Sequence, residues 1–122
     1  MQTPDTGEAM NHPVDVLAFA RHMNELLVLA ALADGPRHGY QIALDTEERS
    51  GGLFVLQHGT LYPILHRLEA AKLVRGSWQE EGARRRRVYA LTAAGRRELE
   101  GHADRCDEVL RGLRRVAGRR PA

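Results

Sequence analysis

The chain has 122 residues, of which 43% are hydrophobic and 28% charged, and its formal net charge at pH 7 is +2. That length predicts one small domain with a modest core, and no apolar run approaches the ~20 residues that a membrane-spanning helix needs. The single Cys106 excludes an internal disulfide framework and suits a reducing compartment, so we expect a cytoplasmic protein with no membrane partner.

Basic charge is concentrated in the last third of the chain. Residues 1–83 hold six basic and eleven acidic side chains, whereas residues 84–122 hold twelve and five. Such a cluster is typical of proteins that bind a polyanion, and it also occurs on solvated helix faces. Composition therefore favours a nucleic-acid partner slightly over the alternative.

Residues 1–11 are polar and rich in turn-forming residues, so we expect a disordered tail there. A short helix is then predicted to begin with Asn11 as its N-cap and Pro13 in its first turn. A second helix, capped by Asn24, is predicted to end at Gly35. The sequence leaves open whether these two helices are continuous. The second is apolar nearly all round, which indicates burial in the core or in a subunit contact.

The next helix is predicted at about residues 38–49, before the glycine pair Gly51 and Gly52. Its inner face is expected to carry Tyr40, Ala43 and Leu44.

The stretch GTLYPILHRLEAAK predicts a third helix that ends near Lys72. Its apolar residues follow the spacing of a helix with one buried face. They are Leu61, Ile64, Leu65 and Leu68. Pro63 lies at the front of this stripe, where a helix accepts proline because its first turn has few hydrogen bonds to lose.

The apolar period then changes to that of β-strands. Two strands, residues 73–79 and 84–91, are predicted to form a hairpin around a turn at residues 80–83. Trp78, the only tryptophan, is expected to cover the core from this hairpin.

A last helix is predicted from about residue 93 to 117, with Thr92 as its N-cap. Its apolar residues recur in steps of four and three, which is the spacing of a coiled-coil seam. They are Leu99, Ala103, Cys106, Leu110, Leu113 and Ala117. A helix of this kind that extends beyond a small domain needs a partner helix.

Three helices followed by a charged hairpin form the order of a winged helix, in which the second and third helices make a helix-turn-helix. The predicted fold class is α+β, mainly helical with a small β-hairpin. We expect a DNA-binding domain over residues 12–91 and a dimerisation helix over residues 92–118. The N-terminal end of the reading helix should meet DNA, because its unpaired N–H groups and its dipole favour phosphate.

Several segments of the sequence resemble the PadR family of bacterial transcriptional regulators. They are DGPRHGYQI, GTLYPILHRLEAAKLV, RRVYALTAAG and the terminal helix, which together span about residues 25–113. The resemblance implies a winged-helix homodimer that binds a palindromic operator in double-stranded DNA, usually as a repressor, on the bacterial nucleoid. It also implies that the terminal helix dimerises against the first helix of the other subunit, as in the smaller PadR subgroup with one C-terminal helix.

The same resemblance indicates which residues touch DNA. Gly59 permits close backbone approach, and the hydroxyls of Thr60 and Tyr62 can bond to backbone oxygens. The family often has Ser or Thr before this motif, whereas this chain has Gln57 and His58, so the usual cap is missing. Either residue is then expected to contact a base, since glutamine can pair bidentately with adenine. The predicted DNA-binding residues are Tyr40, Gln57, His58, Gly59, Thr60, Tyr62, Pro63, His66, Arg67, Arg84, Arg85, Arg86 and Arg87.

Four consecutive arginines, residues 84–87, are predicted to lie on the wing. Strand alternation places Arg84 and Arg86 on one face and Arg85 and Arg87 on the other, so we expect two of them to reach DNA. A wing arginine can contact phosphate or enter a narrow minor groove, where negative potential is enhanced. The alternative is a solvated strand edge that deters aggregation.

The predicted dimer contact combines the terminal seam with the apolar helix near the N-terminus. Its residues are Leu26, Leu29, Leu99, Ala103, Cys106, Leu110 and Leu113. If a small hydrophobic effector exists, we expect it in a cleft at this seam lined by Leu27, Leu29, Leu110 and Leu113. Cys106 is expected to be a small buried hydrophobe, with a redox switch or an intersubunit disulfide as the alternative.

Other function classes find little support in the sequence. The six histidines lack metal-ligand spacing, so neither a metal nor another cofactor is expected. No nucleophile, base and orienting acid fall together, which argues against an enzyme. The main alternative is a winged helix that binds a protein partner without specific DNA binding. RNA binding is not favoured either, because the sequence lacks exposed aromatic residues on which RNA bases could stack.

Overall fold

The computed structural model describes residues 13–118. The predicted disorder of residues 1–11 and the predicted cap at Asn11 lie outside that range. The first described helix, α1, spans Val16–Ala31, and the carboxylate of Asp15 caps it by accepting a hydrogen bond from the Ala18 N–H at 3.1 Å.

The two segments whose continuity the sequence left open form one helix, because α1 runs through Asn24 without a break, and Asn24 is therefore not a cap. No proline or glycine interrupts Val16–Ala31, and one asparagine costs a helix only a few tenths of a kcal/mol. Helix α1 packs against the three other helices of the described range. Its C-terminal half is consequently buried within one chain, and Leu29 has no exposed surface. The predicted roles of Leu29 in a dimer contact and in an effector cleft are therefore wrong.

A short strand that the sequence pattern did not reveal, β1 at Arg37–His38, precedes helix α2 at Gly39–Arg49. The His38 N–H donates to Gln41 Oε1 at 2.8 Å, which satisfies one of the free N–H groups before the helix.

Helix α2 is rotated from the predicted orientation. Its buried residues are Gly39, Ile42 and Thr46. Tyr40 and Leu44, predicted to face inward, are 42% and 60% exposed, whereas Ala43 packs against the core. The error arose because neighbouring apolar residues on a short helix are compatible with more than one inner face.

Helix α3 spans His58–Ala70 and follows the predicted stripe, with all four stripe residues buried. It begins two residues before Thr60, so Pro63 lies inside it. The carbonyl of Gln57 accepts bonds from the Thr60 and Leu61 N–H groups at 2.9 and 2.8 Å. The side chain of Gln57 forms no cap bond, which agrees with the missing Ser or Thr.

Strands β2 at Val74–Glu81 and β3 at Arg84–Leu91 form the hairpin, and β1 pairs with β3 to complete an antiparallel sheet of order β1-β3-β2. The hairpin is longer than predicted, and its turn contains only Gly82 and Ala83. Gly82 adopts φ of 60°, which suits a two-residue turn. The ladder extends to Glu81 and Arg84, which lie directly opposite each other next to the turn.

Helix α4 spans Ala93–Ala117 with Thr92 as its cap, as predicted. The Thr92 hydroxyl accepts from the Gly95 N–H at 3.0 Å and lies 2.8 Å from the Lys72 carbonyl oxygen, to which it can donate. This threonine therefore ties α4 to the end of α3. The four helices and the three-stranded sheet of residues 13–118 confirm the α+β class. Within residues 13–118, no helix is long and apolar enough to cross a membrane.

Candidate nucleic-acid interface

The outer face of α3 carries most of the polar residues predicted to contact DNA. Its inner face lies in the core, so the side chains between the stripe residues must point outward. The exposed members are Gln57, His58, Gly59, Thr60, Pro63, His66 and Arg67. Because the first N–H groups of α3 lie at this exposed end, the end can accept an anion.

Tyr62 is only half-buried and lies between two helices. Its ring contacts the backbone of Gly39 so closely that a Cβ added at Gly39 would lie 2.5 Å from Tyr62 Oη. The ring also meets His58 edge-on, with 5.7 Å between the centroids. Gly39 therefore fixes the position of Tyr62 beside the exposed start of α3.

The base of the wing is formed by side chains from β1, α2 and the hairpin. The rings of His38 and Tyr40 stack with 5.8 Å between centroids, and the Arg86 guanidinium lies 5.1 Å above the Tyr40 ring. Arg86 Nε also pairs with Glu81 at 3.1 Å. His38, Tyr40 and Arg86 lie along a cleft of about 330 Å³ that Tyr62 and the other wing arginines also line. The cleft joins the start of α3 to the wing.

Trp78 lies on the wing rather than over the core, so its predicted position is wrong. It is 55% exposed, because the outer half of the hairpin projects beyond the helices. The guanidinium groups of Arg85 and Arg87 lie 4.8 and 5.2 Å from its ring. The Arg86 guanidinium lies on the Tyr40 side instead, so Arg85, Arg86 and Arg87 follow the predicted alternation.

Besides Arg86, two more of the predicted DNA-contacting arginines are paired with acids within the chain. Arg87 Nη2 lies 2.6 Å from Glu69 Oε2, and both side chains are about 30% exposed. Arg67 lies 3.6 Å from Glu25, but its side chain remains 59% exposed. An exposed ion pair such as Arg67–Glu25 contributes little to stability, so Arg67 can leave Glu25 for a phosphate. Arg84 and Arg85 are the most exposed arginines of the wing.

The predicted dimer residues divide into two groups. Leu26, Leu99 and Cys106 are half-buried in this chain, because α4 folds back against α1. The stacked rings of His22 and His102, 5.5 Å apart, mark that contact. By contrast, Ala103 is exposed, and Leu110 and Leu113 are 51% and 60% exposed.

The predicted effector cleft does not form in one chain. Leu27 packs against the core, and Leu29 is inside it. Leu113 lines a different groove, between the first turn of α1 and the end of α4, with Val16 and Val116. Both valines are largely exposed, so the free ends of α1 and α4 share an apolar surface.

Burial raises the pKa of the Cys106 thiol above its usual value, and Asp107 adds to the effect. Because the thiolate is the reactive form, we expect Cys106 to react several-fold more slowly with a disulfide reagent at pH 7.5 than it does in the unfolded chain. Stopped-flow absorbance with and without guanidinium chloride measures this ratio. Equal rates, or a disulfide-linked dimer on a non-reducing gel, would instead favour the redox alternative.

Within residues 13–118, no group of three or more His, Cys, Asp or Glu side chains is placed to hold a metal ion. The interface therefore consists of a polar helix end, a cluster of arginines and an aromatic cleft between them. Cationic and hydrogen-bonding groups in this arrangement suit the phosphate backbone and base edges of a duplex.

Residues 28–101 match the model of the transcriptional regulator PadR-like family. Transcriptional regulator Rv3488 of Mycobacterium tuberculosis is 38% identical over 93 residues, which are 76% of this chain and 84% of that protein. An uncharacterised 37.1 kDa protein of transposon TN4556 from Streptomyces fradiae is 51% identical over 79 residues, or 65% of this chain. The matched part is only 21% of that protein's length.

Among solved structures, Bacillus subtilis PadR in complex with operator DNA superposes with a TM-score of 0.61 at 25% identity. The match covers 65% of this chain and 46% of that one. The winged-helix expectation is thereby confirmed. Since the family model matches more than half of the chain and the mycobacterial regulator is well covered, this protein belongs to the PadR-like family of transcriptional regulators and is not an enzyme.

Proposed function

We propose that the protein is a repressor that binds an inverted-repeat operator as a homodimer, with α3 in the major groove and the wing on flanking backbone. The observation that carries this proposal is the exposed polar end of α3 beside the arginines of the wing. The operator DNA in the B. subtilis PadR complex supports the same use of the fold.

Base reading is assigned to the start of α3. Gln57 and His58 are exposed at the very end of the helix, where a side chain can reach a base edge while the backbone N–H groups meet phosphate. Thr60 and Arg67 lie on the same outer face and are assigned to the backbone.

Phosphate contact by the wing is assigned to Arg84 and Arg85. They are exposed, whereas Arg86 is paired with Glu81 and Arg87 with Glu69. An arginine bonded to a carboxylate has fewer N–H donors left for phosphate, and the carboxylate offsets part of its charge. The two free arginines are neighbours on opposite faces of β3, so ion pairing selects them and strand alternation does not.

Dimer formation is assigned to the apolar surface at the ends of α1 and α4. Leu110, Leu113 and Val116 are all more than half exposed there, as are Val16 and Leu17. Helix α4 has 25 residues and so spans ~37 Å at 1.5 Å each, which is close to the ~34 Å between half-sites one helical turn apart. Release by a small hydrophobic effector stays a prediction, and the burial of Leu29 leaves it without a site in one chain.

Binding to the DNA upstream of its own gene tests the proposal directly. We expect fluorescence anisotropy to show binding that weakens steeply with salt, because cations on the DNA are released when arginines replace them. Arg85→Ala should weaken binding to all sequences alike and reduce the salt slope by about one for each phosphate that is no longer neutralised, whereas Gln57→Ala should change base preference at one position of each half-site.

The alternative function, a protein-interaction module, makes the opposite prediction. Such a protein would leave its own upstream duplex unbound at low salt, and neither substitution would alter that result.

A further inference from the structure

A continuous line of contacts runs from the last turns of α3 to the wing. Glu69 of α3 pairs with Arg87 of β3 at 2.6 Å, Arg87 lies 5.2 Å from the Trp78 ring, and Arg85 lies 4.8 Å from the same ring. The line thus consists of four side chains, which begin at Glu69 on the reading helix and end at Arg85, one of the two free arginines. The DNA-binding role proposed above does not by itself require this connection.

The Glu69–Arg87 pair occupies space that Gly76 leaves open on β2. A Cβ at Gly76 would lie 2.9 Å from Glu69 Oε2 and 2.8 Å from Arg87 Nη2. The pair is consequently pressed against the strand backbone, and only about 30% of each side chain is exposed. A short, partly buried bond of this kind resists opening better than the exposed pair at Arg67.

Trp78 lies between the two arginines on the outer half of the hairpin. The guanidinium groups of both arginines lie near its ring, and Arg87 is also held by Glu69. Cations are attracted to the face of an indole, so the ring can fix the direction of Arg85 without neutralising it.

We propose that Glu69 and Trp78 are positioning residues for DNA binding. They fix the wing relative to α3, hold Arg87 against the protein, and present Arg85 to the DNA backbone at a set distance from the reading helix. This inference rests on the proposed DNA-binding function. It also explains why an acidic residue, Glu69, and an exposed indole, Trp78, lie on a surface that is proposed to bind DNA.

The sign of one substitution separates positioning from simple charge. Glu69→Gln removes a negative charge near DNA, so electrostatics alone predicts tighter binding. Positioning predicts weaker binding, because the wing loses its fixed angle. Glu80 provides the matched control, since it lies on the same hairpin opposite Arg85 and forms no ion pair among the described residues.

The experiment measures affinity for two duplexes: a long one that includes the flanking DNA under the wings, and a truncated one that only the reading helices reach. We expect Glu69→Gln to weaken binding to the long duplex by about fivefold to tenfold and to leave the truncated one unchanged or slightly tighter. The ratio of the two affinities does not depend on the folded fraction. Glu80→Gln should tighten binding to the long duplex.

Trp78 supplies an independent readout because it is the only tryptophan in the chain. Its emission should change when the long duplex binds and should not change with the truncated one. Trp78→Leu should weaken long-duplex binding as Glu69→Gln does, and Trp78→Phe should restore most of it. In an Arg85→Ala background, Glu69→Gln should have a smaller effect, because Arg84 is then the only free wing arginine left to misplace.

Tighter binding of Glu69→Gln to the long duplex, matching Glu80→Gln, would overturn the inference while leaving the proposed function intact. Failure of the unaltered protein to bind either duplex would instead overturn the proposed function.

Discussion

Replacing Leu110 and Leu113 together with glutamate is expected to make the protein monomeric and to lower operator affinity by at least ~100-fold. Burial of one leucine contributes about 1.5–3 kcal/mol, and a symmetric dimer buries four of these residues. That exceeds the ~2.7 kcal/mol that corresponds to a 100-fold change. Sedimentation velocity and anisotropy with the upstream duplex measure the two effects.

The control for this experiment is the same change at exposed leucines elsewhere. Leu44 and Leu53 are 60% and 74% exposed and lie on α2 and on the connection to α3. Their double substitution with glutamate should leave the dimer intact. A dimeric L110E/L113E protein would contradict the assignment of the seam to the end of α4.

Gly95→Ala is expected to destabilise the fold by about 3 kcal/mol, because overpacking against a rigid neighbour strains a core. Gly95 is buried where α4 crosses the end of α3, and a Cβ there would overlap the Leu73 carbonyl oxygen and lie 2.8 Å from Leu91 Cδ1. Backbone cannot rotate away as a side chain can. Thermal unfolding at one fixed protein concentration should show a fall of roughly 10 °C or more.

Gly101→Ala, six residues along the same helix, is the matched comparison. Nothing lies within 4 Å of a Cβ at Gly101, so only the helix preference of alanine acts, and the protein should gain up to ~1 kcal/mol. If both variants lose stability equally, the contact between α4 and Leu73 is not the cause.

The parts of the fold that could be predicted from sequence are those with long, regular patterns. The stripe of α3 fixed its buried face, and the threonine before a 25-residue amphipathic segment fixed the start of α4. A long period determines orientation because each further turn must repeat the same face.

Short elements were predicted less well, for reasons that depend on tertiary contacts. Strand β1 has two residues, too few for a period, and forms only because β3 offers a free edge. Leu29 was predicted to contact a partner subunit, but the described helices that pack around α1 bury it within one chain.

Some features of the candidate site could likewise be inferred from the sequence, and others could not. The outward residues of α3 could be inferred by subtraction from its buried stripe, and the arginine run is visible in the sequence. The pairing of Arg87 with Glu69 could not be inferred, since the two residues lie 18 positions apart and meet only when the hairpin folds over α3. Trp78 was misplaced because hydrophobicity does not reveal how far a hairpin extends beyond its core.

The stoichiometry of the complex with upstream DNA tests the central claim most directly. Sedimentation equilibrium of a labelled duplex containing one inverted repeat should show the addition of two chains, each of 13.6 kDa, with no stable one-chain complex at intermediate protein concentrations. A single chain bound per repeat, or a duplex that sediments unchanged, would contradict a dimeric reader of operator DNA.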